Sequence, residues 1–165
     1  MADPLQDPVV ALHRYFIWSN EMMRLFKKAL SEAPAGAKDL WGSEDFIRVH
    51  MYMSLWYGTL WAVVEGWTAL NLTDNTIDTL LAVTTGRAKK ERRKVGGAEQ
   101  EVPETYGDLL RRVRNAVLHF QPDYFDHRWA EFVSQTNAAA WVQALQAAFD
   151  RWFVEWLRAR KEAPD

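Results

Sequence analysis

The sequence contains no cysteine. That excludes disulfides, thiol nucleophiles and every thiolate zinc site, and it suits a reducing compartment. The chain also lacks an excess of one charge: 20 Lys and Arg stand against 22 Asp and Glu, a formal net charge of −2. No global basic field therefore draws in nucleic acid, and any such contact would have to come from a local patch. There is no glycine-rich phosphate loop, no HExxH pair and no nucleophile elbow. The most apolar run, residues 51–64, falls short of the roughly 20 residues a membrane-spanning helix needs. Arg48, His50 and Glu65 flank it, and it reads as a buried core helix. The opening MADPLQDPVV lacks the charged and apolar regions of a secretory signal. The expectation is a soluble, cytoplasmic protein with no membrane partner. Four scattered histidines without cysteine make a poor metal set, so neither a metal nor a cofactor is expected.

What is present points to helices. A length of 165 residues suits one domain with a real core, and residues 1–165 are read as that single domain. The nine tryptophans imply thick aromatic helix packing or a sizeable buried interface, since each buries a large area on docking. Asp7 and Pro8 suit an N-cap and first-turn proline for a helix over residues 9–33, carrying Val9, Leu12, Phe16, Met23, Phe26 and Leu30. His13 reads as a packed residue of that helix. Ser43 suits the N-cap of a second helix over residues 44–71, with Glu44 and Asp45 near its positive end. Phe46, Val49, Met53, Trp56, Leu60, Val63 and Trp67 form one stripe of it, and Ile47, Met51, Leu55 and Ala62 another. A helix apolar nearly all round is central. Glu65 is conspicuous there, because an ionised carboxylate in a core helix needs a partner. Pairing with Arg114 or His119 is the functional reading, and a structural ion pair or exposed edge the bland one.

Thr73 or Asp74 can cap a short helix over residues 76–83, closed by Gly86. Residues 87–94 then hold six basic side chains and one acid, and Gly96, Gly97 and Pro103 follow. This reads as a loop, or a helix extension ending in one: either a solvated charge run or a patch that tracks phosphates. Pro103 and Glu104 suit the start of the next helix. A short helix or ordered turn is expected over residues 123–135 and a last long helix over residues 137–161, with Trp141, Leu145, Ala148, Trp152 and Trp156 along it. No strand pattern emerges. The fold class is all-α, a bundle of about four long helices plus short ones.

The chemistry concentrates in residues 106–127, YGDLLRRVRNAVLHFQPDYFDH. Leu109, Val113, Ala116, Val117 and Phe120 lie on one helical face. Arg114, Asn115 and His119 lie around it. Arginine gives a permanent bidentate clamp on a phosphate, and histidine exchanges a proton near neutral pH. His119 falls in the last turn before Pro122, where the negative end of the helix dipole favours its imidazolium form. At about 100° per residue, Arg114 and His119 stand roughly 140° apart around one helix. They flank a groove more readily than they touch, and two copies facing across a dimer would bring the pairs together.

The hexapeptide RNAVLH, residues 114–119, resembles the Arg-x4-His motif of the HEPN superfamily, in the form with Asn after Arg. The longer RNAVLHFQPDYFD is similar to bacterial members of that superfamily. The resemblance implies a HEPN-like helical bundle, a homodimer, and a metal-independent endoribonuclease of the toxin or defence type, with an antitoxin protein as a further partner. It implies cleavage of RNA by attack of the 2′-hydroxyl on the adjacent phosphate. Arg114 would stabilise the developing charge, His119 would transfer the proton, and Asn115 would orient or contact substrate. Arg111, Arg112 and Glu65 are added as substrate-binding candidates. One branch of the superfamily has a tyrosine two positions past the histidine, the target of AMPylation by a partner enzyme. This chain has Gln121 there, and Tyr124 is out of register. The alternative reading is a non-catalytic helical module for dimerisation or for binding a partner or nucleotide.

Overall fold

The computed structural model describes residues 7–34, 43–92, 99–118 and 127–162. In chain order these form α1 (Pro8–Glu32), α2 (Glu44–Ala69), α3 (Asn75–Leu81), β1 (Thr84–Arg92), β2 (Glu99–Thr105), α4 (Tyr106–Leu118), α5 (His127–Val133) and α6 (Ala138–Glu162). The fold is mostly helical. It is not purely so, because β1 and β2 pair as an antiparallel hairpin where a loop or helix extension is expected.

Helices α1 and α2 start where their sequence signals place them. The Asp7 carboxylate accepts from the Val9 N–H at 2.8 Å with Pro8 behind it, and Ser43 Oγ accepts from the Phe46 N–H at 3.2 Å. Asp74 caps α3, accepting from the Thr76 and Ile77 N–H groups. Asn71 leaves α2 at φ 51°, a left-handed conformation that asparagine tolerates at a helix end.

Leu12 packs at Gly66, Phe26 stacks on Trp56, and rising numbers on α1 meet falling numbers on α2, so the two helices run antiparallel. The same reasoning sets α6 antiparallel to α1: His13 lies beside Phe153 and Trp156, Phe16 beside Phe149 and Phe153, and Ser19 beside Gln146. Helix α4 packs on α2 and α5. Phe46, Val49, Trp56, Leu60, Val63 and Trp67 of the expected α2 stripe are buried. The second stripe is different: Ile47 is 43% and Met51 45% exposed, so α2 is not enclosed all round.

The tryptophans account for much of the core. Trp67 meets Phe149 and Trp152 edge-on, and Trp141 stacks on Tyr106 while its Nε1–H donates to the Leu80 carbonyl at 2.8 Å. One buried polar cluster joins the three long helices. Gln146 Oε1 accepts from Ser19 Oγ at 2.9 Å and from Trp56 Nε1 at 3.0 Å, and its Nε2 donates to Asn20 Oδ1 at 2.7 Å. Among the described residues no helix is long and apolar enough to cross a membrane.

Candidate functional site

Thr105 and Asp108 start α4 as a reciprocal cap. The Asp108 N–H donates to Thr105 Oγ1 at 3.2 Å, and Asp108 Oδ2 accepts from the Thr105 N–H at 3.0 Å. The helix therefore begins at Tyr106 rather than at Pro103 or Glu104, which belong to β2. Its buried face comprises Tyr106, Leu109, Leu110, Val113 and Ala116, with Val117 half-buried. That contains the expected stripe as far as it is described; Phe120 lies outside the described residues.

The outer side carries the arginines, and they are not equivalent. Arg112 Nη2 donates to Glu104 Oε1 at 2.7 Å and to Glu131 Oε2 at 3.1 Å. The Glu104 side chain is only 5% exposed, and its other oxygen accepts from Thr85 Oγ1 at 3.1 Å. Burial would lower the Arg112 pKa, but the two carboxylates outweigh it and raise it. Arg112 Nη2 thus clamps β2 and α5 to α4, while its buried Nε has no hydrogen-bond partner among the described residues. Arg111 is exposed to solvent.

Arg114 is held loosely. Its Nη1 donates to Asn115 Oδ1 at 3.0 Å, and its Nη2 lies 3.4 Å from Glu65 Oε2 on α2. The Arg114 side chain is 32% and that of Glu65 57% exposed. Glu65 is therefore not a carboxylate enclosed in a core helix, as its position in the apolar run suggests. It stands on an exposed edge and meets Arg114 across the α2–α4 contact. The structure brings Arg114, Asn115 and Glu65 together. His119, Gln121 and Tyr124 lie outside the described residues, as does the side chain of His127.

The basic run is largely answered by acids from within the fold. Lys89 Nζ meets Asp108 Oδ1 at 2.5 Å, Arg87 Nη1 meets Glu131 Oε1 at 2.8 Å, and Lys90 Nζ lies 3.8 Å from Glu99 Oε2. Burial would raise the Asp108 pKa, but hydrogen bonds from Lys89 and Thr105 with the Lys89 charge hold it below the usual carboxylate range. Lys90 is opposite Glu101 across the ladder, a register that opposite charges favour. The described part of the run reads as an ion-paired hairpin rather than a free phosphate-tracking patch. Arg93 and Lys94 lie outside the described residues.

No protein-family model, curated protein or solved structure matches the chain.

Glu104, Asp108 and Glu131 are the residues that sequence reasoning missed. The signal for Asp108 was Thr105-x-x-Asp108, a capping box with aspartate in its last position. For Glu104 it was the acidic segment 99–104 mirroring the basic segment 87–92 across Gly96 and Gly97. Among the described residues no group of three or more His, Asp or Glu is placed to hold a metal ion.

Proposed function

We propose that this chain is a HEPN-type, metal-independent endoribonuclease of the toxin or defence kind, acting on RNA at a cleft between two copies. The observation that carries the reading is the state of Arg114. It sits on the outer side of α4, a third exposed, within a long 3.4 Å ion pair to an exposed glutamate. An exposed pair of this kind is worth at most about 1 kcal/mol, so a phosphate that accepts two hydrogen bonds from the guanidinium displaces it readily. Asn115 lies beside it to contact substrate. His119 follows α4 by one residue in the sequence and is the proton-transfer group of the proposal. Arg111 supplies further positive charge on α4, and Glu65 holds the guanidinium of Arg114 between substrates. A protein antitoxin and a cytoplasmic location belong to the same proposal.

The test is cleavage of end-labelled RNA by purified protein in the presence of chelator. Cleavage should persist in wild type and fall on the order of 10²- to 10⁴-fold in His119→Ala, the contribution of a positioned acid–base group. Wild type without cleavage under varied salt and pH, and without growth arrest on expression, refutes the proposal. Cleavage that chelator abolishes refutes its metal-free mechanism.

A second reading, a non-catalytic module for dimerisation or partner binding, is favoured by one observation: Arg87, Lys89 and Lys90 of the hairpin already face internal acids. RNA affinity that stays unchanged when Arg111 and Arg114 are both replaced by alanine would select it.

A further inference from the structure

The outward face of α1 is arranged as a palindrome of charge and apolarity. Buried residues of α1, Leu12, Phe16 and Ser19, define the inward side. On the opposite side Ile17 is 52% and Trp18 47% exposed, two large apolar side chains left side by side in solvent. Helical spacing places Arg14 one turn before them and Glu21 one turn after, both exposed and in the same stripe. Val10 and Leu25, both half-buried, extend the stripe by a further turn each way.

We propose that α1 is the dimerisation face of the protein and that its occupant is α1 of a second copy, laid antiparallel across a two-fold axis between Ile17 and Trp18. A two-fold pairing of antiparallel helices centred there sets residue i against residue 35 − i of the other copy. Ile17 then meets Trp18 of the second copy, Arg14 meets Glu21, and Val10 meets Leu25. Every one of these matches is complementary, and the symmetry makes each occur twice. The next match outward is Asp7 with Lys28, again of opposite sign. It contributes less, because Asp7 already caps α1 and meets Arg160 Nη1 at 2.7 Å.

Spacings of three and four residues along this stripe, 7, 10, 14, 17/18, 21, 25 and 28, are those of a coiled-coil seam. Such seams pack with the helix axes at about 20° and 8–10 Å apart. The groups are free to make the contact. Arg14 lies over the Tyr15 and Trp18 rings at 5.4 Å to each centroid, which holds its guanidinium above the apolar pair. Glu21 pairs with Arg24 on the surface, both side chains about half exposed, a contact that water screens and a second copy replaces without loss. Trp18 and Arg14 have the chemistry of interface anchors, and the charges fix the antiparallel register and exclude the parallel one, where Arg14 would meet Arg14.

The inference stands on α1 alone and needs no ribonuclease chemistry. Its test reads mass, not cleavage, so the two fail separately. Sedimentation equilibrium or light scattering of the full chain should give twice the chain mass. Arg14→Glu and Glu21→Arg should each raise the dimer dissociation constant on the order of tenfold or more, with far-UV circular dichroism unchanged. An equimolar mixture of the two variants should form a heterodimer. One of its two symmetry-related charge pairs is then the native Arg14–Glu21 contact, and the other is the same contact with both signs exchanged. The double variant, with both reversals in one chain, should dimerise like wild type. A wild-type protein that sediments as a monomer at all concentrations overturns the proposal. So does a dimer insensitive to either reversal, or a mixture of the two that fails to associate.

Discussion

Replacing Gln146 by leucine should destabilise the fold by about 3 kcal/mol, more than the small change in volume suggests. Gln146 is 3% exposed and makes three hydrogen bonds from α6, to Ser19 and Asn20 on α1 and to Trp56 on α2. Each contributes about 1 kcal/mol net, so their loss together comes to roughly 3 kcal/mol. The orphaned partners differ. Asn20 is half-buried and reaches water, and the Ser19 hydroxyl can turn to a backbone carbonyl one helical turn back. Trp56 is 2% exposed and its indole N–H has no such recourse, so the loss of that one bond costs about 1–3 kcal/mol in place of about 1. Burying leucine in place of the amide offsets about 1–2 kcal/mol of this. Urea unfolding followed by tryptophan emission and circular dichroism measures the difference directly. In thermal unfolding, about 3 kcal/mol corresponds to roughly 6–12 °C for a chain of this size. Ser19→Ala should cost about 1 kcal/mol in wild type and close to nothing in the Gln146→Leu background, because its partner has gone. A loss below about 1 kcal/mol for Gln146→Leu, or equal costs for Ser19→Ala in both backgrounds, would show that the Gln146 hydrogen bonds do not hold the three helices together.

Arg112→Met should cost about 2–3 kcal/mol by leaving the buried Glu104 carboxylate with Thr85 alone, discounted because Arg112 itself is 31% exposed; urea titration checks it, and a neutral result would show that the pair is fully solvated. His13 is held below its ordinary value of 6.5 by burial, so the unfolded chain binds the proton first as pH falls. Stability should therefore drop as pH descends through about 6.5, and His13→Gln should flatten that part of the stability–pH profile. Gly86 has φ 79° where the β1–β2 ladder slips between Thr84 and Ala88. Gly86→Ala should strain this irregular stretch of β1 by about 1–2 kcal/mol and speed amide exchange in the hairpin before the rest of the fold.

The helices were legible because their signals are local. Asp7-Pro8, Ser43 and Asp74 announce starts that depend on nothing beyond the next three residues. The α2 stripe through Trp56, Leu60 and Val63 follows from a period of 3.6 alone. The hairpin was illegible for the opposite reason. Its strands are polar, so no apolar alternation marks them, and partners far along the chain hold them: Asp108 for Lys89 and Glu131 for Arg87. Glu65 is intermediate: an exposed edge or an ion pair is one reading of its place in the sequence, and its side chain is 57% exposed. Its pairing with Arg114, 49 residues away, was nonetheless foreseeable from charge. The buried amide of Gln146 left no sequence signal, since a glutamine on an apolar face has partners only once three helices meet.

Under the proposed function, Arg114 and His119 cut RNA through the substrate's own 2′-hydroxyl, without metal. The most direct measurement compares an end-labelled RNA with the same sequence carrying a single 2′-deoxy nucleotide at the mapped cleavage position, in chelator, with wild type and Arg114→Ala. Wild type should cut the all-ribose strand, leave the deoxy position intact, and lose on the order of 10²- to 10³-fold in rate on Arg114→Ala. Cleavage at the deoxy position at the same rate, or cleavage untouched by Arg114→Ala, would rule out that chemistry.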